Sequence, residues 1–132
     1  MSVLDYLWRA SFNSGEVEFL HAEGFGRQPA VYDWWGQVNQ HSLGWVTARE
    51  AELLVGFVNV AWDGSTHAFL LDTVVHSSQR RRGVGRKLVA VAIEQTRAAG
   101  CEWLHVDFDA NLSTFYFTSC GFRSTPAGVI AL

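Results

Sequence analysis

The stretch "SSQRRRGVGRKL", residues 77–88, places four arginines and a lysine around two glycines. An apolar run precedes it at residues 68–75, and apolar side chains at helical spacing follow it. The first N–H groups of a helix have no intrahelical partners, and glycine lets a phosphate approach the backbone closely. The stretch therefore predicts a diphosphate site between a strand and the N-terminus of a helix.

The charge of the chain is concentrated in this loop. The net charge is −3, yet five of the ten basic residues lie between positions 80 and 87. A focused charge favours a small anionic ligand, because nucleic-acid-binding proteins usually gather a basic face from several segments. A nucleic-acid-binding domain remains the alternative. Gly83 and Gly85 match neither the nucleoside triphosphate motif GxxxxGK[ST] nor the dinucleotide motif GxGxxG.

Composition predicts one globular domain over residues 1–132. Apolar residues make up 48% of the chain, which is enough for a substantial core. The apolar runs are far shorter than the roughly 20 residues of a membrane span, and no signal peptide is recognised, so we expect a cytoplasmic protein without membrane contact. Two cysteines are then expected to be reduced thiols, and the five scattered histidines predict no metal site.

The periodicity of apolar residues predicts an α/β (α+β) fold with a mixed, mostly antiparallel sheet. Before residue 44 we expect a helix at 4–12, a strand at 17–21 and a short helix around the aromatic cluster Tyr32, Trp34 and Trp35. The later elements are strands at 45–49, 53–62 and 68–75, a hairpin turn at 63–65, a helix at 84–99, a strand at 103–109, a helix at 111–120 and a strand within 122–132. The strand, helix, strand order around residues 84–99 predicts a parallel strand pair.

The pattern Arg80-x-x-Gly83-x-Gly85 resembles the signature of the GNAT superfamily of acyl-CoA-dependent N-acyltransferases, Arg/Gln-x-x-Gly-x-Gly/Ala. The flanking segments resemble this family too, over about residues 44–122. "LLDTVVHSSQ" resembles its fourth strand, "KLVAVAIEQTRAAG" its third helix, "EWLHVDFDAN" its fifth strand and "FYFTSCGF" its closing helix. The resemblance implies the GNAT fold, with helices on both faces of the sheet and the parallel pair splayed around the cofactor.

The resemblance also implies acetyl-CoA as cosubstrate. In this family, the loop and the helix start hold the pyrophosphate of CoA, and the fourth strand pairs with the pantetheine arm. The positions that the resemblance assigns to the cofactor are Val74, Val75, Arg80, Arg81, Arg82, Gly83, Val84, Gly85, Arg86 and Asn111. The implied acceptor is a primary amine of a small molecule or a peptide, and an exposed final strand would allow a homodimer. A domain that binds CoA without transferring the acetyl group is the alternative.

Two residues are candidates for the chemistry that the resemblance implies. Tyr116 is the candidate acid, although the family's tyrosine corresponds to Phe117, and one helical residue turns a side chain by about 100°. Asp72 is the candidate base, because a carboxylate within an apolar strand is unusual. A buried structural tyrosine and a hydrogen-bonded structural aspartate are the competing interpretations. Weaker candidates for the base are His76, Asp107 and Asp109, and a water chain to bulk solvent would also suffice.

The acceptor pocket is expected in residues 25–41, where the resemblance is poor. Tyr32, Trp34 and Trp35 either wall this pocket or belong to the core.

Overall fold

A five-stranded mixed sheet runs through the protein in the order β1-β2-β3-β4-β5. The computed structural model describes residues 3–132. The strands are β1 (Leu4–Trp8), β2 (Ser42–Glu50), β3 (Leu53–Trp62), β4 (His67–Val75) and β5 (Trp103–His105). The α-helices are α1 (Ser14–Phe25), α2 (Trp34–His41) and α3 (Val84–Ala98). Short 3₁₀ turns cover Ser77–Gln79 and Ala110–Leu112, and a π-helical turn covers Thr114–Ser119.

The central part of the sheet follows the sequence prediction. β1 to β4 pair antiparallel, and β4 and β5 pair parallel across α3. The predicted hairpin turn joins β3 to β4, where Gly64 has φ +83° and the Asp63 carboxylate accepts a hydrogen bond of 2.7 Å from the Ser65 N–H. Glycine suits this turn because a positive φ costs it nothing.

Two hydrophobic cores cover the two faces of the sheet. On one face α3 packs Leu88, Val89 and Ala92 against the sheet. On the other face α1 and α2 contribute side chains such as Val17 and Trp34. The predicted mixed fold with helices on both faces is therefore confirmed.

The helix predicted at residues 4–12 is wrong, because β1 occupies residues 4–8. Leu4, Tyr6 and Trp8 alternate with more exposed residues, which is the period of a strand. Trp8 packs on Gly44 so closely that a Cβ there would lie 2.1 Å from Trp8 Cζ2. Pairing with β2 outweighs the helical spacing of Leu4, Leu7 and Trp8, and the segment therefore forms a strand.

The strand predicted at residues 17–21 is also wrong, because this segment is the middle of α1. Asn13 begins the helix with a capping box: its side chain accepts from the Gly15 N–H at 2.8 Å, and its own N–H donates to Glu16 Oε2 at 3.0 Å. Val17 and Leu20, three residues apart, then face the same core.

The C-terminal third has less regular structure than predicted. β5 ends at His105 instead of Asp109, and the predicted helix at 111–120 divides into the 3₁₀ turn and the π-helical turn. No strand forms within 122–132, where Pro126 lacks a backbone donor and nearly all residues are exposed. Among residues 3–132, no helix has the length and apolar character to cross a membrane.

Glu18 is a buried carboxylate on α1, 3% exposed. Both its oxygens accept from Arg27, at 2.7 and 2.8 Å, and it also accepts from Trp34 Nε1 at 3.0 Å and the Ala30 N–H at 2.7 Å. The Arg27 hydrogen bonds, followed by those from Trp34 and Ala30, hold the pKa of Glu18 far below its ordinary value.

We expect Glu18→Gln to lower the free energy of unfolding at pH 7 by about 2–3 kcal/mol, because charge-assisted hydrogen bonds are lost. Because the pKa of Glu18 is lower in the folded state, its carboxylate stabilises the protein at pH values above the unfolded pKa of about 4.3. This contribution is lost as the pH falls toward the folded-state pKa. The difference in the free energy of unfolding between the variant and wild type, measured with urea, should therefore shrink below about pH 4. Glu94→Gln on the exposed face of α3 is the control; an equal loss in both variants would contradict the role of Glu18.

Candidate active site

The parallel strands β4 and β5 separate after a short pairing. Three residue pairs join them, ending at Phe69 opposite His105. β4 continues to Val75, whereas residues 106–109 leave the sheet without strand structure. The edge of β4 beyond Phe69 therefore borders an opening, with backbone groups that no neighbouring strand pairs on that side.

A bulge at Asp72 changes which side chains of β4 face this opening. Asp72 has φ +61°, a conformation that aspartate tolerates better than most residues, and the pairing with β3 shifts at this point. Leu70 points toward α3 before the bulge, and Val74 points toward α1 and α2 after it. Thr73 and Val75 consequently face the opening, on the side next to α3.

The basic loop leads directly into the N-terminus of α3. Arg81 at φ +65° and Gly83 at φ +76° turn the chain, and the N–H of Lys87 makes the first bond of the helix to the Gly83 carbonyl, at 3.1 Å. No side chain caps this helix end, and no acidic residue lies in its first turn. The amides before Lys87 are thus available to an anion, and the helix dipole adds positive potential.

Gly85 lies in close contact with two side chains. A Cβ at this position would lie 3.2 Å from Phe115 Cζ and 3.7 Å from Val75 Cγ2. The absence of a side chain lets the helix start approach both residues. Gly83 differs, because a Cβ there would meet nothing within 4 Å and its requirement is the positive φ alone.

Two acidic residues anchor the loop, and the sequence prediction missed both. Glu23 of α1 accepts from the Ser77 N–H at 3.1 Å and lies 3.8 Å from Arg80 Nη2. Glu50 of β2 accepts from Gln79 Nε2 at 3.3 Å. Arg80 also donates from Nε to the Val75 carbonyl at 3.3 Å, so its side chain braces the end of β4.

One pocket of about 470 Å³ joins these parts. It is lined by β4, the loop, the start of α3 and the segment around the π-helical turn: Thr73, Val75, Gln79, Arg80, Arg81, Gly83, Val84, Gly85, Arg86, Leu112, Phe115, Tyr116 and Ser119. Three arginines and no carboxylate line it, so the pocket is suited to an anion.

Tyr116 reaches this pocket because the closing turn is π-helical. The Cys120 N–H donates to the Phe115 carbonyl at 2.9 Å, five residues back, whereas an α-helix spans four. The wider turn takes one extra residue before Gly121. Tyr116 is therefore 6% exposed in the pocket, and Phe117, which the family pattern favours, is 38% exposed.

The surroundings of Tyr116 keep its phenol protonated. Its ring stacks on Phe108 with centroids 4.7 Å apart, and Phe115 packs edge-on at 4.8 Å. Burial raises the pKa of Tyr116 above its ordinary value, and a hydrogen bond with Thr73 opposes this in part. A phenol with a raised pKa keeps its proton at neutral pH, so the proton is present for a leaving group that is more basic than the phenolate.

Several predicted residues lie outside this pocket. The Val74 side chain packs in the core near α1, and Asn111 and Arg82 are exposed without lining the pocket. Their roles toward CoA stay predictions. The aromatic cluster divides: Trp34 is buried in the core, Trp35 is partly exposed against Phe12, and Tyr32 lines a separate, wide depression over α2.

Asp72 lies on the opposite side of β4 from this pocket, toward α1. Its Oδ1 is 3.0 Å from His21 Nε2, and its Oδ2 is 3.3 Å from Asn59 Nδ2. The sequence offered no signal for His21. Within residues 3–132, no group of three or more His, Cys, Asp or Glu side chains is arranged to hold a metal ion.

Comparison with protein families identifies the architecture. A family model described as the acetyltransferase (GNAT) family matches residues 3–122. The mycothiol acetyltransferase of Mycobacterium avium is 34% identical over 62 residues, which are 47% of this chain and 20% of that protein. The chain thus matches about a fifth of the length of this relative.

Solved structures show the same fold. A GNAT family acetyltransferase of Streptococcus pneumoniae superposes with a TM-score of 0.78 at 18% identity, with 98% of each chain covered. An aminoglycoside N-acetyltransferase in complex with CoA has a TM-score of 0.76 at 20% identity, over 100% of this chain and 95% of that one.

Proposed function

Because the chain belongs to the GNAT acetyltransferase family, we propose that it transfers the acetyl group of acetyl-CoA to a primary amine of a small molecule or a peptide. The observation that carries this proposal is the single pocket that contains both the anion-binding start of α3 and the phenol of Tyr116. One ligand in this pocket can present a diphosphate to the loop and a thioester to the phenol.

The residues of the loop fit the diphosphate of CoA. The amides of Val84, Gly85 and Arg86 point out of the helix end, and the guanidinium groups of Arg81 and Arg86 supply charge. The free edge of β4 is available to the amide groups of the pantetheine arm, and an N–H there would stabilise the oxyanion.

The chemistry proposed for the pocket needs few groups. The amine nitrogen bonds to the thioester carbon, the C–S bond breaks, and the nitrogen loses one proton. Tyr116 donates its proton to the leaving thiolate and is reprotonated by water. Positioning of the two substrates supplies much of the remaining rate enhancement.

A small-molecule acceptor has some support from the relatives, since two of them are named for mycothiol and aminoglycosides. The experiment is release of the CoA thiol with a panel of amines, including aminoglycosides, simple alkylamines and peptides, with the product identified by mass spectrometry. We expect amine-dependent release and an acetylated amine. Acetyl-CoA binding without a product from any amine would instead favour a CoA-binding module. Salt-sensitive DNA or RNA binding that acetyl-CoA abolishes would favour the nucleic-acid alternative.

A further inference from the structure

Asp72 is held by two donors at the bulge of β4. His21 Nε2 approaches Oδ1 at 3.0 Å, and Asn59 Nδ2 approaches Oδ2 at 3.3 Å. The Ser42 hydroxyl donates to Asn59 Oδ1, and the Asn59 NH₂ faces Asp72. Both oxygens of Asp72 are acceptors in this arrangement.

The proton position on His21 follows from its other neighbour. Arg27 Nη2 lies 2.9 Å from His21 Nδ1. A guanidinium can only donate, so Nδ1 carries the lone pair and Nε2 carries the hydrogen that points at Asp72. Phe25 and Trp34 hold the ring in this plane, with centroids 4.4 and 4.8 Å from its own.

Arg27 is held in turn by the buried Glu18, which accepts from both its terminal nitrogens. A connected series of side chains therefore runs from the core of α1 to the bulge of β4. Phe25 and Trp34 pack on the His21 ring, and Glu23 is turned toward the basic loop.

We propose that His21, oriented by Arg27 and Glu18, is a positioning residue. It holds the Asp72 carboxylate toward an acceptor amine that arrives as an ammonium ion and approaches the opening from the α1 side of β4. This inference rests on the proposed function. Asp72 takes one proton from the ammonium, which becomes the neutral nucleophile, and then passes the proton to water. Three observations support the role: the strained φ of Asp72, its place three residues beyond the last β4–β5 pair, and its partial exposure of 21%.

The kinetic test compares His21→Leu with His21→Gln, whose amide can replace the Nε2 donor. In His21→Leu, the Asp72 carboxylate loses the Nε2 donor that fixes its orientation, so kcat for the amine falls while KM for acetyl-CoA stays the same. We expect about a 10-fold loss of kcat/KM with unchanged acetyl-CoA affinity. His21→Gln should recover most of this, and His67→Leu at the start of β4 should change neither quantity.

A purely structural role for His21 would lower stability without lowering kcat in the folded variant, and that result would overturn the proposal. The loss of kcat/KM caused by His21→Leu should also disappear in an Asp72→Asn background. Full additivity of the two substitutions would contradict the proposal. Nitrogen-15 NMR of the imidazole in the wild-type protein gives a readout without turnover. We expect the Nε2–H tautomer, and the Nδ1–H tautomer would refute the inference even if acetyl transfer were demonstrated. If no amine is acetylated, the proposed function fails independently of this spectrum.

Discussion

Gly85→Glu should reduce the affinity for acetyl-CoA by about 100-fold or more, because it removes at least two charge-assisted hydrogen bonds to the diphosphate. The new side chain would meet Phe115, which lies 3.2 Å from the position of its Cβ. Its carboxylate would also enter a pocket that three arginines make favourable for anions. Calorimetric titration of the variant with acetyl-CoA measures the effect.

Two controls separate this effect from a general loss of structure. Arg97→Ala lies in the last turn of the same helix, far from the pocket, and should bind acetyl-CoA like wild type. Gly85→Ala adds only a Cβ against the edge of one aromatic ring and should lose much less affinity than the glutamate variant. Wild-type affinity in a folded Gly85→Glu protein would show that the start of α3 is not the diphosphate site.

Tyr116→Phe should lower kcat by roughly 100-fold or more, which is the usual contribution of a general acid. The variant keeps the ring that stacks on Phe108, so the fold and the acetyl-CoA affinity should change little. Since burial raises the pKa of Tyr116, the alkaline limb of the wild-type kcat profile should lie above the ordinary tyrosine value of about 10. This limb should be absent from the variant.

Phe117→Leu is the matched control, because Phe117 is the neighbouring aromatic residue and is more exposed. Steady-state kinetics over a range of pH with an accepted amine compare the two variants. If Phe117→Leu were the more damaging change, or if Tyr116→Phe kept full kcat, Tyr116 would be the buried structural tyrosine of the competing interpretation.

The sequence predicted the middle of the chain well because local signals and tertiary packing agree there. Strands β3 and β4, their Gly64 turn and helix α3 each have strong periodicity and end at a turn or cap. Within residues 4–25 the two types of element were exchanged: a helix was predicted where β1 forms, and a strand where α1 forms. β1 is stabilised by pairing with β2, a non-local interaction, whereas the Asn13 to Glu16 capping box was a local signal that was overlooked.

The candidate site shows the same division between local and non-local information. The glycine loop is contiguous, so its place at the start of α3 could be predicted from sequence. Tyr116 appeared misplaced by one residue because a π-helical turn cannot be read from the spacing of side chains. The contacts of Asp72 with His21 and of Ser77 with Glu23 join residues more than 50 positions apart, which no single sequence reveals.

Titration of the wild-type protein with acetyl-CoA in a calorimeter is the most direct test of the central claim that the pocket beside α3 binds this donor. We predict saturable binding with one site for each chain, and competition by free CoA because both ligands carry the diphosphate. An absence of binding up to high micromolar acetyl-CoA, in a protein that is folded by circular dichroism, would contradict the account.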